Sequence, residues 1–280
     1  MRNFALAILL LVFPVCRSKT QVIKPQDTIS KQGNDWYKTI AEIPCPLGYE
    51  RVMIDDDSFP CWLRRLKLKK DKRVFLFNGL LKENQSVQFA VLNEKTGNKD
   101  LQQCADAIIR LRAEYYFSQG KYDSILFSAT NGTLLSFSKW RTGTRYHLSG
   151  NKLNTIFINT FSNDINTDFE NYLETVFLYA GTYSLASELQ YVTSINKIEA
   201  GDVFIKPGFP GHAMIVVDVC INKKGKKLFM LAQGYMPAQD MHIVVNPMDK
   251  ALNPWYEVPD GYEIITPEWK FTNAQLKRWR

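Results

Sequence analysis

"GHAMIVVDVCINKKGKKLFMLAQGY", residues 211–235, decides the fold class. Two runs of large and β-branched apolar residues, MIVVDVC and KLFMLAQ, flank the turn sequence NKKGKK, which predicts two strands joined by a tight connection. GDVFIKPG (residues 201–208) precedes the pair and HIVVNP (residues 242–247) follows it, each bounded by glycine or proline. The last third of the chain therefore reads as a meander. Two more strand-like runs, RVFLFNG (73–79) and SVQFAVL (86–92), lie upstream, and helical stretches at 100–122 and 167–189 fall between. Strands, then helices, then a run of strands predict an α+β domain in which an antiparallel sheet packs on helices.

The first helical stretch, DLQQCADAIIRLRAEYYFSQGKY (residues 100–122), raises the chemical question. Asp100 reads as the N-cap and Gln103 as its capping-box partner, which starts the helix at Leu101 and puts Cys104 in the first turn. Unpaired amides and the positive end of the helix favour a thiolate there. The same amides can hold an oxyanion, with Gln102 or Gln103 supporting the Cys104 amide. Yet Cys104, Ile108, Leu111 and Tyr115 follow helical spacing, so the thiol can equally open the apolar stripe that faces the core. The helix alone leaves both readings open.

A partner for the thiol comes from the meander. His212 follows Gly211 at the mouth of a very apolar strand, where an imidazole can reach a thiol on a facing helix. Gln233 interrupts the apolar run of the next strand and can hold the second ring nitrogen. His147 and His242 are alternative bases. Trp140, Arg141 and Arg145, in SFSKWRTGTRYHLSG (136–150), are candidates for gripping an acidic or sugar substrate with guanidinium forks and an aromatic plate, or else form a solvated turn. Tyr235 is a candidate cleft wall. The sequence has no Cys-x-x-Cys or His/Cys metal spacing and no Gly-x-Ser-x-Gly elbow, so no metal or other cofactor is expected.

GDVFIKPGFPGHAMIVV (201–217) resembles the strand pair of the papain-like bacterial cell-wall amidases and endopeptidases of the NlpC and CHAP types. In those families a cysteine at a helix start attacks an amide, a histidine at a strand start is the base, and a polar residue on the next strand orients it. The resemblance implies a papain-like core with Cys104 as nucleophile, His212 as base and Gln233 as orienter. The interval from Cys104 to His212 is longer than usual in these families, which implies an insertion folding out between them. Gln103-Cys104-Ala105 also replaces the usual Asp-Cys-Ser context. Through QQCADAIIRLRAEY, SKWRTG, PGHAMIVVDV and LAQGYMPAQDMHIV, the chain is also similar to a family of exported bacterial proteins known as a domain of unknown function, which implies no activity.

With 280 residues and 45% hydrophobic content, the chain can bury a large core. Its net charge is +7, but basic and acidic residues interleave and the densest run, RRLKLKKDKR (64–73), is short, so nucleic acid is not an expected partner. MRNFALAILLLVFPVCRSKT has a positive start, an apolar run and a polar break, the layout of an export signal rather than a membrane span. Its end has two readings: cleavage after Ser18, or a lipid on Cys16 that attaches the protein to a membrane. The expected organisation is a signal at 1–18, a polar extension and irregular lobe at 19–72, and a papain-like α+β domain at 73–280. In an oxidising compartment Cys45 and Cys61 are neighbours in sequence and natural partners, closing a loop worth roughly 3 kcal/mol. The expected function is cysteine-dependent hydrolysis of an amide bond, in peptidoglycan or a peptide, in the periplasm or outer envelope. The competing reading is a non-catalytic envelope protein that binds cell-wall or glycan fragments.

Overall fold

The sheet is built around the strand that begins at His212. The structure is a computed structural model and describes residues 36–280 apart from 151, 160–163 and 260. The expected signal and Cys16 lie outside the described residues. In chain order the helices are α1 (Phe59–Arg64), α2 (Cys104–Ser118), α3 (Phe137–Arg141), α4 (Ile165–Tyr179) and α5 (Thr182–Glu188). The first strands are β1 (Tyr49–Arg51), β2 (Gln88–Val91), β3 (Leu126–Ser128), β4 (Leu134–Ser136), β5 (Thr144–Ser149), β6 (Lys152–Phe157) and β7 (Leu189–Tyr191). There follow β8 (Val203–Lys206), β9 (His212–Asn222), β10 (Lys227–Gln233), β11 (His242–Val244), β12 (Tyr256–Glu257), β13 (Glu263–Ile265), β14 (Lys270–Thr272) and β15 (Leu276–Trp279).

The main sheet runs β2-β11-β10-β9-β8-β15-β7, with β1 joined to the far end of β9 and β12 to β10. Its pairings are antiparallel, so the expected α+β class with an antiparallel sheet is the one observed. The register around the site sets Lys206 opposite His212 and Ala232 opposite Ile215. The pairs β3–β4, β5–β6 and β13–β14 stand apart as small hairpins.

β9 is apolar without alternation because both faces of the sheet are covered. Ala213, Ile215 and Val217 join Ile108, Leu111 and Val176 in the larger core, on the side of α2 and α4. Met214 and Val216 join Phe229, Leu231, Ile264 and Phe271 in a second cluster, closed by the β13–β14 hairpin. Each fully buried aliphatic chain of this kind is worth roughly 1.5–3 kcal/mol against exposure. That is what presses the start of α2 onto the start of β9.

Residues 37–72 do not form a separate lobe. Trp36–Arg280 is one compact unit, and Ile40, Ile43, Phe59 and Leu63 are buried in the same core as α2. The physical reason is β1, whose Arg51 lies opposite Cys220 and stitches the segment to β9. Among the described residues, no helix is long and apolar enough to cross a membrane.

Candidate active site

α2 begins three residues later than its sequence suggests. Gln103 is the N-cap, Cys104 the first helical residue, and the Gln103 amide donates to Asp106 Oδ2 at 3.1 Å. Asp100 does not cap the helix, because its Oδ1 accepts from the Ala238 amide at 2.7 Å and from Gln103 Nε2 at 3.2 Å. That contact fixes the lead-in of α2 against the loop after β10. The packing there is close: a Cβ on Gly234 would lie 2.9 Å from Ala107 Cβ and 3.0 Å from the Gln103 carbonyl oxygen. Only glycine lets the end of β10 approach the helix start so nearly.

Cys104 is buried at 8% exposure, and three backbone amides face its sulfur: its own, that of Ala105 and that of Ala213. The first two belong to the opening turn of the helix and have no intrahelical acceptor. The third belongs to the residue after His212, so the sulfur sits against the first peptide of β9. These amides favour a thiolate, but burial and the neighbouring Asp106 carboxylate outweigh them and push the thiol up to about 11. At rest Cys104 is a thiol, although its place at a helix start favours a thiolate.

The imidazole of His212 is 2% exposed and boxed by aromatic rings, with Tyr235 edge-on at 5.0 Å, Trp269 at 5.1 Å and Phe271 stacked at 5.9 Å. Its Nε2 lies 2.9 Å from Gln233 Oε1. Donor and acceptor bookkeeping fixes the rest of the network. Glu268 Oε2, an acceptor, lies 2.8 Å from Gln233 Nε2, and Glu268 Oε1 takes Lys82 Nζ at 2.5 Å. The Gln233 amide nitrogen therefore faces Glu268, its oxygen faces His212, and His212 must carry its proton on Nε2. Nδ1 is left as the basic nitrogen. The other Gln233 N–H points to His242 Nε2 at 3.2 Å, so His242 carries its proton on Nδ1 and donates to the Asp240 carbonyl at 3.0 Å. Burial pushes both imidazoles down to about 4, which leaves them neutral at pH 7.

The remaining candidates divide sharply. Gln102 is tied to Arg110 Nε and to the Lys95 carbonyl, and the Gln103 amide is spent on Asp106 and on the Leu101 carbonyl, so neither supports an oxyanion as expected. The amides of Cys104 and Ala105, which have no intrahelical acceptor, face the Cys104 sulfur instead. Trp140 is buried, with the Arg145 guanidinium 3.8 Å above its ring and Arg145 Nη1 on the carbonyls of Trp140 and Thr144. Arg141 pairs with Asp168 at 3.6 Å. The expected aromatic plate is thus roofed by Arg145 within its own loop, and the Arg141 fork turns to Asp168 on α4. His242 stands behind Gln233, held at both ring nitrogens. Glu268, Lys82 and Ala213 carry no sequence signal: two are ordinary charged residues far away in the chain, and the third acts through its backbone.

Cys104 opens on a cleft of about 360 Å³ bounded by the start of α2, the Gly181–Thr182 turn, the 208–211 loop and Met236. Phe209, Met236 and Tyr183 flank it as exposed apolar side chains. The 208–211 loop stays tight because a Cβ on Gly211 would meet the Gly208 carbonyl oxygen at 2.5 Å and Thr182 Oγ1 at 2.6 Å. Of the catalytic candidates Cys104 lines this cleft, whereas His212 and Gln233 do not, and two other clefts of comparable size, one beside Asn246 and Tyr256 and one beside Val52 and Arg64, are lined by neither thiol nor imidazole. Among the described residues, no cluster of His, Cys, Asp and Glu is arranged to hold a metal.

The chain belongs to the family described as "Domain of unknown function (4846)", whose model matches residues 40–278. No curated protein and no solved structure matches it.

Proposed function

We propose that this member of the family is an exported, cysteine-dependent amide hydrolase with a papain-like site, acting on peptidoglycan or peptides at the cell envelope. The observation that supports it best is the hydrogen bond from His212 at the start of β9 to Gln233 at the end of β10, with the next amide of β9, Ala213, facing the sulfur of Cys104. In this reading a carbonyl carbon enters the cleft beside Cys104. His212 Nδ1 takes the thiol proton as sulfur attacks, which suits a pair that is neutral at rest. The tetrahedral oxygen is held by the amides of Cys104 and Ala105. The imidazolium then protonates the leaving amine, Gln233 keeps the ring in its tautomer, and water cleaves the thioester.

The buried, protonated thiol favours a second reading, a non-catalytic envelope protein that binds cell-wall fragments in the same cleft. One experiment separates the two. Wild-type protein, Cys104→Ala and His212→Ala are incubated with soluble peptidoglycan peptides, and products are followed by mass spectrometry. Hydrolysis adds one water across an amide, and loss of that product in both variants supports the enzyme. Turnover that survives Cys104→Ala sinks it, and binding without any cleavage by wild type establishes the second reading.

A further inference from the structure

We propose that Cys45 and Cys220 are a redox pair that closes into a disulfide, stapling the segment ahead of β1 to the far end of β9. The proposal does not depend on the reading of Cys104. It rests on how β1 is laid along β9: Tyr49 lies opposite Asn222 and Arg51 opposite Cys220. Just before β1 the chain folds back, with the Tyr49 amide on the Pro46 carbonyl at 3.0 Å, which returns Cys45 to the end of β9. The backbone on the other side of Cys45 is held too, since Arg51 Nη2 donates to the Ile43 carbonyl and Trp255 Nε1 to the Pro44 carbonyl at 2.8 Å. Cys45 packs against the cluster that contains Cys220, and the two thiols hydrogen-bond to each other.

This differs from the Cys45–Cys61 pairing expected from sequence proximity. Cys61 lies in α1, where its amide donates to the Ser58 hydroxyl, and all four described cysteines are free thiols here. Exposure assigns the roles. Cys45 is half-buried and reachable, whereas Cys220 is fully buried. The hydrogen bond from Cys220, and then the Arg51 charge, draw the Cys45 thiol down, while Cys220 is driven well above its ordinary range. With a small disulfide such as oxidised glutathione as oxidant, the Cys45 thiolate attacks one sulfur and releases one glutathione. The Cys220 sulfur then displaces the second glutathione from Cys45. The protein gives up two protons and two electrons, and the oxidant leaves as two thiols.

The full chain is incubated with oxidised glutathione, then denatured, alkylated, digested and mapped by mass spectrometry. The expected product is a peptide pair joined through Cys45 and Cys220, absent after dithiothreitol and absent in Cys45→Ser, but unchanged in Cys61→Ser. Because the bridge closes a very long loop, the oxidised protein should melt roughly 5–10 °C above the reduced one. Recovery of both residues as alkylated thiols, a stable glutathione adduct on Cys45, or a link from Cys45 to Cys61 each overturns the proposal.

Discussion

The two ends of β9 solve the problem of a buried polar group in opposite ways. At the far end Asp218, with no exposure, receives Arg51 Nε at 2.7 Å and Arg64 Nε at 2.6 Å, and both guanidiniums also satisfy backbone carbonyls. Every charge there has a partner. At the near end Cys104, His212 and Gln233 are equally buried but carry no net charge, with a thiol held up to about 11 and an imidazole held down to about 4. Behind them Glu268 and Lys82 form an ion pair. A completed ionic cluster holds a structure together, whereas a neutral thiol and a neutral imidazole packed at one end of a strand can each still gain or lose a proton.

The largest effect is expected at the clamp. Asp218→Ala leaves two partly buried guanidiniums without their carboxylate and should cost about 3–5 kcal/mol in urea unfolding. A loss below about 1 kcal/mol would mean that Arg51 and Arg64 find water or other partners, and the contrast between the two ends would collapse.

At the site end the informative change is Asp106→Asn. Asp106 is buried with Oδ1 unpartnered, and burial raises its carboxyl to about 8. A carboxyl whose folded value is raised favours folding at low pH and loses that contribution as pH rises through the folded value. The variant should therefore gain on wild type from about pH 4 to about pH 8, by at most about 1.4 kcal/mol per pH unit, and level off above. Its Cys104 should also alkylate at lower pH, because the carboxylate that opposes the thiolate is gone. Parallel stability curves for the two proteins would refute the raised carboxyl.

Gly234→Ala should cost about 1–3 kcal/mol by thermal melting, since its methyl meets Ala107 and the Gln103 carbonyl. If the methyl is accommodated without loss, the start of α2 is not seated on β10 as described. The subtlest check changes no residue. Nitrogen-15 NMR should find His212 protonated at Nε2, His242 protonated at Nδ1, and both neutral down to about pH 4. A His212 that titrates near its ordinary 6.5 would place it in water rather than in the aromatic box.

His212 and Gln233 were legible as candidates because His212 opens one strongly apolar strand and Gln233 interrupts the next, and buried polar groups need partners. The start of α2 was legible only approximately. Asp100 suits an N-cap by residue type and Gln103 does not, and local sequence could not show that a distant amide, Ala238, claims the Asp100 carboxylate. Trp140 and Arg145 misled for a related reason: an Arg-Trp turn looks the same whether the ring faces solvent or is roofed by its own arginine.

Sequence by itself determined the elements whose cause is local or periodic. The apolar runs of β8 to β10, the stripe of α2 and the glycine at residue 211 follow from burial, helical spacing and turn geometry within a few residues. Tertiary structure alone decided which groups meet across long stretches of chain: Glu268 behind Gln233, the Ala213 amide at Cys104, and Cys45 beside Cys220 rather than Cys61. It also decided their protonation, since a thiol at a helix start is acidic in water and becomes a poor acid once desolvated. Desolvation depends on everything packed around a group, and that sum is written nowhere in the residues beside it.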